Sequence, residues 1–130
     1  MPLRVEVNQE HAGVFTISPE GSIDSETYPE LEQKIRSVLG ASAKLIIFDM
    51  QGVIYISSMG LGVIFKTKEM LEKNNGSIII TNLQPQVKKV FDVLKALPQH
   101  IFKSMEEADA YITQIQRQEI EKQWKQKPNY

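Results

Sequence analysis

A chain of 130 residues with 42% hydrophobic and 24% charged side chains can bury one real core but is too short for two ordinary domains. Its formal net charge of -1 and lack of any long Lys/Arg block exclude a dedicated nucleic-acid binder, which needs a basic surplus on one face. With no cysteine, disulfide frameworks, thiolate metal sites and cysteine nucleophiles are excluded as well.

The first residues, Met1-Pro2-Leu3-Arg4-Val5-Glu6, lack the charged-then-apolar layout of a signal peptide. No apolar run approaches the ~20 residues that span a bilayer. The expectation is a soluble, cytoplasmic protein with no membrane insertion. Leu3, Val5 and Val7 alternate with Arg4, Glu6 and Asn8, the period of a half-buried strand. A polar turn over Asn8 to Gly13 leads to a second strand, Val14-Phe15-Thr16-Ile17, and the two read as a hairpin. Pro19 cannot donate a ladder hydrogen bond, so this strand is expected to end there, bulge, or lie on an edge.

Thr27 and Glu30 have the spacing of a capping box, and Tyr28, Leu31, Ile35 and Val38 recur at helical intervals until Gly40 supplies a stop. Leu45-Ile46-Ile47-Phe48 is a continuous apolar run, as expected for a central parallel strand covered on both faces. Val53-Ile54-Tyr55-Ile56 leads into Ser57-Ser58-Met59-Gly60-Leu61-Gly62, where a serine hydroxyl suits a helix start. Leu61, Ile64, Phe65, Met70 and Leu71 give that helix its apolar surface, and Asn74-Asn75-Gly76 ends it. Ser77-Ile78-Ile79-Ile80-Thr81 reads as a further strand. Pro85 opens a helix with Val87, Val90, Phe91, Leu94 and Leu97 as its stripe, stopped by Pro98. A short strand, Ile101-Phe102-Lys103, follows. Ser104 and Glu107 form a second capping box, opening a last helix with Ala108, Tyr111, Ile112 and Ile115 inward. Strands and helices alternate after residue 24, which makes this an α/β protein with parallel pairings behind a hairpin.

Catalytic constellations are missing. His11 and His100 are far apart in sequence, each in a polar turn, and neither a P-loop nor a nucleophile elbow is present. Gly60-Leu61-Gly62 is too short for a dinucleotide fingerprint. Asp24 and Asp49 lie near the ends of strands, where α/β folds gather functional groups, although capping and turn formation explain them equally well. The expectation is no enzyme, no cofactor and no metal. From local sequence alone, Ser57 and Ser58 read first as helix caps.

The run from Asp49 to Val63, with Tyr55, Ser57, Ser58, Gly60, Leu61 and Gly62, resembles the signature of STAS domains, the fold of bacterial anti-sigma factor antagonists. In that family a strand is followed by Asp-Leu, a few residues, an aromatic, then Asp-Ser-Ser-Gly-Leu-Gly. Gly21-Ser22-Ile23-Asp24 looks like the family's Gly-Glu-Leu-Asp, and Val87-Lys88-Lys89-Val90-Phe91 like its Val-Lys-Arg-Leu-Phe helix. Three motifs in the right order and on the right elements make the resemblance specific. It implies a STAS fold over residues 1–116, a mixed, mostly parallel sheet of about five strands with about four helices. Residues 117–130 are left as a helical extension or tail.

The resemblance also implies a function. Unphosphorylated, such a domain binds a serine kinase that doubles as the anti-sigma factor, and so releases a sigma factor; a metal-dependent serine phosphatase reverses the modification. The matching phosphorylation site is Ser58, with Ser57 as the alternative, because Ser57 stands where the family has Asp and Met59 replaces its second Ser. The implied partner surface comprises Asp24, Ser57, Ser58, Met59, Gly60 and Leu61, with Met59 expected to be exposed. A helix N-terminus tolerates an added anion, and the new charge of roughly -1.5 to -2 turns a neutral contact surface anionic. The alternative is a STAS scaffold without a phosphorylation cycle, in another signalling or transport complex. A nucleotide-binding domain has only fold analogy behind it. In the tail, Ile120 and Trp124 share a helix face but fall out of register with Ile112 and Ile115, which suits a homodimer or partner contact as well as packing back onto the domain.

Overall fold

The computed structural model describes residues 2–96 and 104–126, in the order β1 (Arg4–His11), β2 (Val14–Ile23), α1 (Tyr28–Gly40), β3 (Leu45–Asp49), β4 (Val53–Ile56), α2 (Ser58–Lys73), β5 (Ser77–Thr81), α3 (Pro85–Ala96) and α4 (Met105–Gln126). The expected strand Ile101–Lys103, and with it Leu97, Pro98 and His100, lies outside the described residues. β1 and β2 form the antiparallel hairpin, but with His11 opposite Val14 the turn is only Ala12 and Gly13, not the broad loop read from residue 8. Gly13, at φ 76, supplies the left-handed residue that so tight a reversal requires.

β2 does not stop at Pro19; it runs on to Ile23. One edge pairs with β1. The other pairs in parallel first with β3, over Val14 to Ile17, and then with β4, over Gly21 to Ile23, with a register shift between Gly21 and Ser22. Pro19 falls in the gap where β2 changes partner, so a residue unable to donate interrupts neither parallel ladder. β5 completes the sheet by pairing with β3. All pairings except the first are parallel.

The crossovers β2–α1–β3 and β4–α2–β5 both step in the same direction across the sheet. Because such connections are right-handed, α1 and α2 must lie on the same face. This overturns the expectation that β3 is covered on both sides. Ile46 and Phe48 are fully buried with Phe15 and Ile17, whereas Leu45 and Ile47 on the other face are only half-buried and neighbouring Ile79 is 48% exposed. The core is therefore one layer, holding Ile23, Leu31, Ile56, Ile64, Leu71 and Val87 between the sheet and the helices. Each such fully buried aliphatic side chain contributes about 1.5–3 kcal/mol.

Helix ends depart from the sequence reading in instructive ways. The Thr27–Glu30 capping box is not formed. The Thr27 hydroxyl is already committed, donating to the Ser22 carbonyl at 2.7 Å and accepting from the Asp24 N–H at 2.9 Å. At the second box, the Ser104 hydroxyl accepts from the Glu107 N–H at 3.1 Å. The left-handed residues that follow α1 and α2 are Ser42 and Asn75, both at φ 61, rather than Gly40 and Gly76. Gly76 is required for a different reason. A Cβ there would sit 2.6 Å from the Lys44 carbonyl oxygen, inside the contact that leads β5 alongside β3. Gly76→Ala should therefore cost about 1–3 kcal/mol in urea unfolding through backbone displacement, while Gly40→Ala, with open space around it, should not destabilise.

Candidate functional site

Ile23 and Ile56 are register partners at the ends of β2 and β4, and the Ser57 N–H continues the ladder onto the Ile23 carbonyl at 2.8 Å. Asp24 and Ser57 thus leave adjacent parallel strands at their carboxyl ends, where α/β folds gather functional groups. Ser57 is the N-cap of α2. Its backbone is extended (φ -92, ψ 174), the residue is 4% exposed, and its hydroxyl accepts from the Gly60 N–H at 3.2 Å. Ser58 is the first residue of the helix and is half-buried. A Cβ on Gly60 would lie 2.6 Å from Ile23 Cγ2 and 2.9 Å from Ile56 Cγ1, so only glycine lets the first turn of α2 seat on the two strand ends.

The next partner of this junction comes from the far end of the chain. Asp109 Oδ1 accepts from both the Ser58 N–H at 2.8 Å and the Ser58 hydroxyl at 2.6 Å. Gln116, 1% exposed, accepts from the Ile56 N–H at 2.9 Å and donates to the Ile56 carbonyl at 2.8 Å, replacing a missing strand neighbour. Between them the Tyr55 and Thr113 hydroxyls share a hydrogen bond of 2.8 Å. Asp109, Thr113 and Gln116 recur at i, i+4 and i+7, one face of α4. Two of the orphan N–H groups at the start of α2 are thereby satisfied, one by Ser57 and one by Asp109.

Apolar spacing alone does not reveal this stripe, because Asp109, Thr113 and Gln116 are polar. Ile112 and Ile115 are buried as expected, but Tyr111 is 37% exposed, so the inward face is rotated toward residues 109, 113 and 116. A helical repeat of polar residues flanking buried isoleucines was the available signal. Beyond Gln116 the same helix continues to Gln126, with Ile120 38% and Trp124 70% exposed.

The remaining expected site residues divide by burial. Gly60 and Leu61 face the core and are closed to a partner. Met59, expected to be exposed, is half-buried, because it lines a shallow groove of about 270 Å³ with Tyr28 and Glu32 of α1 and Ser58, Gly62, Val63 and Lys66 of α2. Asp24 closes the turn into α1, its Oδ1 accepting from the Glu26 and Thr27 N–H groups at 2.9 and 3.0 Å. Asp49 does similar work at the end of β3, accepting from the Gln51 N–H and the Asn82 amide, both at 3.2 Å. Among the described residues, no group of three or more His, Asp or Glu is placed to hold a metal ion. No described helix is long and apolar enough to cross a membrane.

Residues 6–108 match the model of the STAS domain family. An anti-sigma-B factor antagonist of Bacillus subtilis is 31% identical over 93 residues, covering 72% of this chain and 84% of that protein. Among solved structures, the anti-sigma factor antagonist SpoIIAA in its unphosphorylated form superposes with a TM-score of 0.64 at 22% identity, over 71% of this chain and 81% of that one. The Bacillus cell fate determinant SpoIIAA in its phosphorylated form gives 0.60 at 21% identity, over 70% and 83%.

The Gln116–Ile56 pair gives a direct test of the α4 attachment. Gln116→Leu keeps the bulk but orphans two buried backbone groups, which should cost about 1–3 kcal/mol for each. Urea unfolding reads the total, and faster amide exchange at Ile56 places the loss at the junction.

Proposed function

The chain belongs to the STAS domain family, and we propose that it is a cytoplasmic anti-sigma factor antagonist that works by partner switching, with Ser58 as its phosphorylation site. The position of Ser58 at the first residue of α2, on the rim of the groove shared with α1, carries this reading. Ser57 is the weaker target because it is buried and its hydroxyl already caps the helix. The Bacillus subtilis relative is named for antagonism of an anti-sigma factor, and one protein of the same fold is known in a phosphorylated form.

In its unmodified state the Ser58–Met59 edge and the α1–α2 groove form a contact surface for a serine kinase that is also the anti-sigma factor. Binding sequesters that protein and frees the sigma factor. Phosphoryl transfer then breaks the terminal P–O bond of a nucleoside triphosphate and forms one to Ser58 Oγ, whose proton is released to the kinase's base or to solvent. The phosphate brings a charge of roughly -1.5 to -2 and three strong acceptors. The dipole at the start of α2 favours the added negative charge locally. Across an interface, like-charge contact or desolvation costs several kcal/mol, and the complex dissociates. A serine phosphatase that removes the group resets the cycle.

A second reading, a STAS scaffold without phosphorylation, is favoured by one observation: the Ser58 hydroxyl is already bonded to Asp109. Incubation with a candidate serine kinase/anti-sigma factor and ATP separates the two. Mass spectrometry should find one phosphoryl group, mapped to Ser58, absent in Ser58→Ala and retained in Ser57→Ala. Failure to label either serine contradicts the switch.

A further inference from the structure

The contact joins Ser58, inside the family match, to Asp109, one residue past its end at 108. It ties the first residue of α2 to the second turn of α4. Its chemistry is centred on the switch residue. One carboxylate oxygen takes both the backbone N–H and the hydroxyl of Ser58, at 2.8 and 2.6 Å, and both residues are partly buried. The oxygen occupies the place at the start of α2 where an anion is favoured by the helix dipole and an orphan N–H.

That place cannot serve two anions. A phosphate on Ser58 Oγ removes the hydroxyl proton that Asp109 accepts. Its oxygens compete for the Ser58 N–H. It also sets a second negative group against the carboxylate at hydrogen-bond distance. The loss falls on α4, because Asp109 stands in the second turn of that helix and the other polar ties, Thr113 and Gln116, lie farther along the same face. Ile112 and Ile115 keep α4 on the core, so the expected consequence is loosening of its first turns rather than unfolding of the domain.

We propose that Asp109 is a positioning residue for Ser58, holding its hydroxyl in the unmodified state and making the seating of the first turns of α4 depend on the charge at Ser58. This inference rests on the reading of Ser58 as the switch. It identifies a second element, outside the α1–α2 groove, whose surface changes with that switch.

The test is amide hydrogen exchange on the full chain, read over residues 106–116, and it needs no kinase. Ser58→Asp places a carboxylate against Asp109, and exchange in this segment should rise at least about tenfold over wild type. Asp109→Asn alone should change it little, since the Asn oxygen still accepts from Ser58. The double variant Ser58→Asp/Asp109→Asn should return most of the protection, a non-additive rescue that a merely structural Asp109 does not produce. If Ser58→Asp fails to fold while the double variant folds, the same coupling is shown. Unchanged exchange in Ser58→Asp overturns the inference even where kinase labelling of Ser58 succeeds, as does equal loss, or equal failure to fold, in the single and double variants. Rescue without any kinase labelling supports the coupling and leaves the phosphorylation reading to fail separately.

Discussion

A strand that leaves a sheet to become a helix must find partners for a run of backbone groups that neither element can satisfy. At residues 56–60 this chain meets that constraint almost entirely with borrowed side chains. Gln116 bonds both the N–H and the carbonyl of Ile56, Asp109 takes the N–H of Ser58, and Ser57 takes that of Gly60. A buried polar backbone group without a partner costs about 1–3 kcal/mol, so these few contacts decide where α2 starts and where α4 docks. Gly60 completes the junction by letting the helix approach Ile23 and Ile56 without a Cβ.

The same constraint explains why this junction suits a switch. The donors that α2 cannot satisfy internally are those that would receive a phosphate, and the side chain that now occupies one of them is itself an anion. Ser57 and Ser58 have separate tasks despite being neighbours: one is buried in the cap, the other stands at the rim of the α1–α2 groove. In the proposed switch, a charge at Ser58 would act on two surfaces, the groove directly and α4 through Asp109. Within the motif read from the sequence, Gly60 and Leu61 serve the fold beneath that surface.

The α/β alternation, the hairpin and all four described helices were legible because each is written in local periodicity and punctuation. What could not be read locally was set by tertiary partners. The Thr27 hydroxyl was drawn to Ser22 and Asp24 instead of a capping box. The apolar run of β3 implied two covered faces, yet right-handed crossovers in one direction cover only one. β2 passed through Pro19 because the strand changes parallel partner there. The site was legible in part: the serines at a helix start follow from the motif, but Asp109, Thr113 and Gln116 sit about 51 to 60 residues away from their partners and, being polar, carry no apolar periodicity.

For Ser58 to work as the proposed switch, a phosphate there must separate the chain from its anti-sigma factor partner. Isothermal calorimetry of the unmodified and the Ser58-phosphorylated chain against the serine kinase/anti-sigma factor measures this without a mimic. The predicted result is an affinity lower by about 100-fold or more for the phosphorylated chain. Equal dissociation constants, with phosphoserine verified at residue 58, would contradict it.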